Sequence, residues 1–133
     1  MINKERLQLG LDALRSGRYE QAQGSLCKID DGKRSYCCLG VLTDVALKNG
    51  IGRIEEFVAP DGVAYRVPGT GECQWSVLPE PVRMWYGFDS KIPSVVVDDD
   101  KGWTEEVTIL NDGEGWGFHR IADAIEATFM EEK

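Results

Sequence analysis

The sequence predicts an α+β fold, a single compact domain over residues 1–133 with about four helices packed on a small, largely antiparallel sheet. Three observations predict it. Apolar residues recur at helical spacings of three and four in several segments. Short alternating segments lie between them, bounded by turn residues. The two kinds of segment are interspersed along 133 residues, the length of one domain.

The helical pattern is clearest in three segments. A first helix is predicted over residues 3–16, because Leu7, Leu11 and Leu14 share a face and Gly17 can end it. A second helix over residues 38–49 has an apolar face of Cys38, Val41, Leu42 and Val45. The last helix has an apolar face of Phe118, Ile121, Ala122, Ile125 and Phe129. A shorter helix is predicted over residues 78–88, with prolines in its first turn.

The strand pattern is weaker. The turn sequence DDGK between two short apolar segments indicates a hairpin that ends near Tyr36. Residues 62–68 alternate as a strand does, and residues 93–100 and 105–110 are predicted to form a second hairpin. The rest of residues 51–77 has no clear period.

Charge and composition limit the partners. Residues 1–66 carry 10 Lys and Arg against 9 Asp and Glu, whereas residues 67–133 carry 5 against 14. This acidic second half disfavours DNA as a partner and is compatible with a basic protein partner. No segment has the length and hydropathy of a membrane span, and the N-terminus is charged, so we expect a cytoplasmic protein without membrane attachment. A homo-oligomer is compatible with the sequence.

The sequence SYCCLGVL contains the adjacent cysteines Cys37 and Cys38. Adjacent side chains point in different directions on a helix or a strand, so these two thiols cannot comfortably bind one metal ion together. The paired CxxC spacing that is typical of a metal site is absent from the sequence. We therefore predict that both thiols pack in the core and that the protein binds no metal and no cofactor. A catalytic thiol is the alternative.

Aromatic and basic residues in the second half are the best candidates for ligand binding. Three of the tryptophans fall in predicted loops, where binding residues are common. Together with arginines they could stack on a flat ligand such as a base. The candidate ligand-binding residues are Arg66, Trp75, Arg83, Trp103, Trp116, His119 and Arg120. The simpler alternative is that these tryptophans cover a small core.

The segment GEGWG at residues 113–117 precedes the last helix. A helix N-terminus can attract an anion, but Glu114 places a carboxylate where a phosphate would bind. We therefore expect a turn with a satisfied cap. His119 or Asp112 could serve as a general base, although no nucleophile stands at a recognised spacing, and a structural histidine is the simpler interpretation.

Four segments together resemble a family of small proteins encoded by bacteriophages and prophages. They are ALRSGRYEQAQGSL, YCCLGVLTDVA, LPEPVRMWYGF and ILNDGEGWGFHRIADAIE. The resemblance covers most of residues 13–126 and leaves out residues 51–77 and 89–106. It implies a phage origin and, with it, an infected bacterial cell as the setting; it carries no catalytic residue.

The motif residues have a structural interpretation. We expect the second and last helices to pack together through Gly40 and Ala122, with Phe118 on the buried face. Asn111 and Asp112 are expected to cap or tie a turn through their side chains. Function would then lie in the loops at residues 51–77 and 89–106.

The sequence favours a binding protein over an enzyme. The first hypothesis is a counter-defence protein that sequesters a nucleotide-like immune signal in a pocket of loop aromatics and arginines. The second is an acidic inhibitor that docks directly on a host defence protein. The third is a small nucleotide hydrolase that uses His119 or Asp112.

Overall fold

The computed structural model describes residues 1–98 and 100–130. The helices are α1 (Lys4–Arg15), α2 (Cys38–Lys48), α3 (Glu80–Tyr86), α4 (Val107–Asp112) and α5 (Phe118–Phe129). The strands are β1 (Cys27–Asp30), β2 (Lys33–Tyr36), β3 (Glu55–Ala59), β4 (Gly62–Val67), β5 (Glu72–Gln74), β6 (Ser94–Asp98) and β7 (Trp103–Glu106). The predicted α+β class with a largely antiparallel sheet is confirmed.

The main sheet is antiparallel, with strands in the order β2-β1-β4-β3. The short strand β5 pairs with the far end of β4, on the edge that β1 leaves free. The predicted first hairpin is confirmed as β1–β2, and Asp31 and Gly32 both have positive φ in its turn, as a type I′ turn requires. Strands β6 and β7 form a separate hairpin.

The sheet has one face toward the helices and one toward solvent. On β4, Val63, Tyr65 and Val67 lie on the face toward the helices and are buried. On the opposite face Arg66 is exposed, whereas Ala64 is buried. The inner residues join one hydrophobic core with the buried faces of α1, α2, α3 and α5. Burial of this continuous apolar surface is the main stabilising contribution to the fold.

Helix α2 is the central helix, and Gly40 sets how closely it approaches the sheet. A Cβ atom at Gly40 would lie 1.7 Å from the carbonyl oxygen of Leu26. We expected Gly40 to contact the last helix at Ala122, and this prediction is wrong, because the close neighbour of Gly40 is the backbone of Leu26. The glycine makes room for the backbone just before β1. Ala122 itself is buried on α5, as is Phe118.

The segment at residues 105–110 was predicted as a strand, and this prediction is wrong beyond Glu106. Strand β7 ends there, and α4 begins at Val107. Val107, Leu110 and Asn111 are buried at the helical spacing i, i+3, i+4, whereas Ile109 is exposed. This extra helix brings the number of helices among the described residues to five instead of about four.

One further difference concerns a tryptophan. Trp103 was expected in a loop but lies in β7. The segment predicted as a hairpin strand, residues 93–100, includes residue 99, which lies outside the described residues. No helix of the described residues is long and apolar enough to cross a membrane.

Candidate functional site

The predicted ligand-binding residues do not form one pocket. They lie on separate surfaces: Trp116, His119 and Arg120 at the start of α5, and Arg66 and Trp75 on the solvent face of the main sheet. Arg83 lies on α3 and Trp103 on β7. None of them lines the clefts that lie beside Tyr19, Met84 and Phe88.

Arg83 and Trp103 are already engaged with neighbouring groups. The Arg83 guanidinium donates to both carboxylate oxygens of Glu80, at 2.6 and 2.9 Å, and to the carbonyl of Phe88. Trp103 is 59% exposed, and the Lys101 ammonium lies 4.4 Å from its ring centroid. We therefore interpret Arg83 as a residue that fixes the C-terminal end of α3.

The start of α5 brings three of the predicted residues together. The Arg120 guanidinium lies 3.8 Å from the ring centroid of Trp116, while His119 and Arg120 are exposed. Gly117 is the N-cap and has no side chain to accept a hydrogen bond. Within residues 1–98 and 100–130, no acceptor is found for the backbone N–H groups of residues 118–120. The expectation of a satisfied cap is therefore wrong.

The loop before α5 is held in place. Backbone N–H groups of Gly113 and Glu114 donate to the carbonyl of Ile109, and that of Trp116 donates to the carbonyl of Leu110. The Trp116 carbonyl in turn accepts a hydrogen bond from the Gln21 side chain at 2.8 Å. Trp116 is thus positioned before any ligand binds, which lowers the entropy lost on binding.

The solvent face of the main sheet carries an aromatic pair. Phe57 and Trp75 meet edge to face, with ring centroids 6.2 Å apart, and they are 44% and 42% exposed. The Arg66 guanidinium lies 5.4 Å from the centroid of Phe57 and forms an ion pair with Glu55. Phe57 belongs to β3, the outermost strand of the sheet.

Asn111 is fully buried, and all of its hydrogen-bonding groups have partners. Its amide nitrogen donates to the carbonyl of Ala22 and to Asp112, both at 2.8 Å. Its oxygen accepts from the Gln21 side chain and from the backbone N–H of Cys38. One side chain thereby ties the segment before β1, the start of α2 and α4 together, as the predicted structural role requires.

The adjacent cysteines are buried at the start of α2. Cys37 is the N-cap and Cys38 the first helical residue, and both are free thiols. Burial raises the pKa of Cys37 to about 11 and the pKa of Cys38 well above its usual value. A thiol with a raised pKa is a poor nucleophile at neutral pH, so the catalytic alternative has no support in this environment.

A cleft of about 480 Å³, which the sequence analysis does not predict, lies between the C-terminal ends of α1 and α2. Tyr19 and Tyr36 line it, with ring centroids 5.1 Å apart at nearly right angles. The Tyr19 hydroxyl donates to Asp44, and the Lys48 ammonium lies 2.9 Å from the same carboxylate. Asp44 and Lys48 stand at the i, i+4 spacing of a helical ion pair, the only sequence signal for this cluster.

No group of three or more His, Cys, Asp or Glu side chains that could hold a metal ion occurs in the part of the chain that the structure describes. His119 and Asp112 are both exposed, and Asp112 accepts a hydrogen bond from Asn111. Neither of them lines one of the three clefts.

Comparison with known proteins gives a family but no activity. No curated protein and no solved structure matches this chain. The model of a domain of unknown function, DUF8296, matches residues 2–129. That match spans nearly the whole chain, from before α1 to the last residue of α5. The chain therefore belongs to the DUF8296 family.

Proposed function

We propose that this protein is a binding protein that sequesters a nucleotide-like anion at the start of α5. The observation that carries the proposal is the pairing of backbone N–H groups that lack acceptors with a tryptophan stacked on an arginine. The phage-like motifs suggest the setting, in which the ligand is a defence signal of an infected bacterium. The protein acts in that cell's cytoplasm by lowering the free concentration of the signal.

The two parts of a nucleotide, its phosphate and its base, each match a feature at the start of α5. A phosphate accepts hydrogen bonds from the N–H groups of residues 118–120, where the helix dipole also favours negative charge. A base stacks on Trp116 in place of the guanidinium, which leaves Arg120 free to contact the phosphate. His119 is exposed on the first turn and adds a donor.

Nearby carboxylates oppose an anion. Glu114 precedes the helix, and Asp123 lies one turn into it, where Arg15 neutralises it at 2.7 Å. Long-range attraction is therefore weak, in keeping with the acidic second half. Affinity must come from short-range hydrogen bonds and stacking, and such contacts favour a ligand with both a phosphate and a base.

The test is a thermal-shift screen of the purified protein with cyclic dinucleotides, cyclic trinucleotides and ADP-ribose isomers. We expect one compound to stabilise the protein and to be recovered intact, by mass spectrometry, after denaturation. Arg120→Ala should remove most of that stabilisation. Arg66→Ala is the matched control, because Arg66 also lies over an aromatic ring but on the main sheet. No stabilisation by any compound contradicts the proposal.

Recovery of a cleaved compound would support the hydrolase hypothesis in its place. His119→Ala and Asp112→Ala, made separately, would then show which residue acts as the base, because only loss of the general base should abolish turnover while binding persists. An intact compound excludes this reaction under the conditions of the screen.

A second candidate function, docking on a host protein, is favoured by the solvent face of the main sheet. Phe57 and Trp75 form an exposed aromatic pair beside β3, the outermost strand, whose residues are almost all exposed. An extended segment of a partner can pair with such an edge strand and place an apolar side chain on the aromatic pair. The partner surface would be this face, not the acidic C-terminal half.

This candidate is tested with the double variant Phe57→Ser, Trp75→Ser in a pulldown from host lysate at low salt. A partner that binds the natural chain and the Arg120→Ala variant, but not the double variant, supports docking through the sheet. A partner that binds all three equally excludes this surface. The folded state of the double variant is checked by circular dichroism.

A further inference from the structure

We propose that the cleft between the C-terminal ends of α1 and α2 is a binding site for an alkylammonium group, and that the Lys48 side chain occupies the ammonium position intramolecularly. This site is separate from the start of α5, so it does not depend on the function proposed above. The ligand class is a primary amine on an aliphatic chain, as in a polyamine or a lysine side chain.

The tyrosine pair provides the surface that a cation prefers. Tyr19 and Tyr36 meet at 85°, so one ring presents its face beside the edge of the other. The Lys48 ammonium lies 5.4 Å from the centroid of Tyr19, within the range of a cation–π contact. Lys48 therefore shows, within this chain, which chemistry the ring accepts.

A buried carboxylate supplies the counter-charge. Asp44 is 8% exposed and accepts from the Tyr19 hydroxyl and the Lys48 ammonium. Burial, followed by the hydrogen bond to Asp44, raises the pKa of Tyr19 to about 12, so its hydroxyl remains a donor at neutral pH. An incoming ammonium can take the position of Lys48 on Asp44 without any rearrangement of the tyrosines.

The ends of the two helices add to this negative potential. The cleft is lined by Ala13 and Ser16 at the end of α1 and by Val45 and Asn49 at the end of α2. Helix C-termini carry partial negative charge from their carbonyl groups and favour cations. Asp12, which is exposed, lines the cleft as well.

Two features decide how easily a ligand can enter. The Lys48 side chain is 70% exposed, and an ion pair at such a position contributes little to stability, so it can leave. Arg18 also lines the cleft and opposes a second cation, but it is exposed and free to turn into solvent. The site therefore favours a single ammonium on a flexible chain over a bulky polycation.

The experiment is a titration of the protein with n-butylammonium at constant ionic strength, followed by the NMR signals of the tyrosine rings. The uncharged control ligand is 1-butanol. We expect saturable shifts of the Tyr19 and Tyr36 signals in the millimolar range with the ammonium alone. Parallel titrations with spermidine and with acetyl-lysine methylamide distinguish a free polyamine from a protein side chain as the source of the amine.

The decisive variant is Lys48→Ala. Removal of the internal ammonium leaves Asp44 and the Tyr19 ring available, so affinity should rise by about threefold. Asp12→Asn should lower it. Lys101→Ala is the matched control, since Lys101 lies over Trp103 on the other hairpin and its removal should change nothing.

If the cleft binds anions, with Lys48 and Arg18 as its cations, n-butylammonium gives no saturable shifts of the tyrosine signals and the proposal is wrong. Weaker binding of n-butylammonium by Lys48→Ala would also contradict it. Unchanged affinity, or shifts that butanol reproduces, also overturns it. These outcomes are independent of the nucleotide screen, which depends on Arg120.

Discussion

The junction around Asn111 and the start of α5 lie close together in sequence, yet they differ in how their polar groups are satisfied. At the junction, Asn111 is buried and makes four hydrogen bonds to neighbouring segments. At the start of α5, the backbone N–H groups of residues 118–120 have no acceptor among the described residues, and they lie beside Trp116 and Arg120. The first region has no unused hydrogen-bonding capacity, whereas the second has a surplus of donors.

This difference assigns structural and binding roles to different residues. Groups that are buried and fully paired stabilise one arrangement of the chain and have no capacity left for a ligand. Donors that are exposed and preorganised can bind a ligand at low entropic cost. The sequence motif YCCLGVL therefore belongs to the structural region, and we propose that the segment that follows Gly113 is the binding region.

The largest effect is expected for Gly40→Ala in the structural region. Its new Cβ would overlap the carbonyl oxygen of Leu26, which is backbone and cannot turn aside. We expect a loss of more than about 3 kcal/mol in unfolding free energy, measured by urea denaturation. The control is Gly117→Ala, where a Cβ meets nothing within 4 Å. A Gly40→Ala protein of near-natural stability would contradict the close approach of α2 and the chain before β1.

A somewhat smaller effect is expected for Asn111→Ala. The change leaves the carbonyl of Ala22 and the N–H of Cys38 without their partner in the core, at a cost of about 2–3 kcal/mol. Asp112→Ala is the control, because Asp112 is exposed and should cost less than about 1 kcal/mol. Equal losses from the two changes would show that the junction is not the structural centre proposed here.

Thiol labelling sharpens the comparison without changing stability. Cys73 is exposed, whereas Cys27, Cys37 and Cys38 are buried with raised pKa values. We expect one thiol to react rapidly with a disulfide reagent at neutral pH, and the other thiols to react only after unfolding. Cys73→Ser should abolish the rapid reaction. Rapid labelling of Cys37 or Cys38 in the folded protein would reopen the catalytic interpretation.

The parts of the fold that could be predicted are those in which local pattern and tertiary burial agree. The helical faces of α1, α2 and α5 and the β1–β2 turn are of this kind. The alternating pattern of residues 105–110 predicted a strand, which is wrong beyond Glu106. The buried positions of α4 are set by its contacts with α2 and α5 and not by a partner strand. Strand β3 was missed because almost all of its residues are exposed, and strand β5 because it has only three residues, so neither has an alternating apolar pattern.

Site residues were harder to predict than the fold. The proximity of Trp116, His119 and Arg120 could be predicted because they are neighbours in sequence. The tyrosine cleft could not, because Tyr19, Tyr36 and Lys48 come from three segments that only the tertiary structure brings together. Trp75 is exposed, as its predicted loop position suggested, but its aromatic neighbour Phe57 lies in the segment without a clear period.

The most direct test of the central claim is a ¹H–¹⁵N NMR titration with the cyclic nucleotides and ADP-ribose isomers of the screen. The predicted result is a saturable shift of the Trp116 indole and the amides of residues 118–120, with the Cys38 and Asn111 signals unmoved. Arg120→Ala should weaken that binding by about tenfold. A ligand that shifts Cys38 and Asn111 and leaves the start of α5 unchanged would contradict the separation of structural and binding regions.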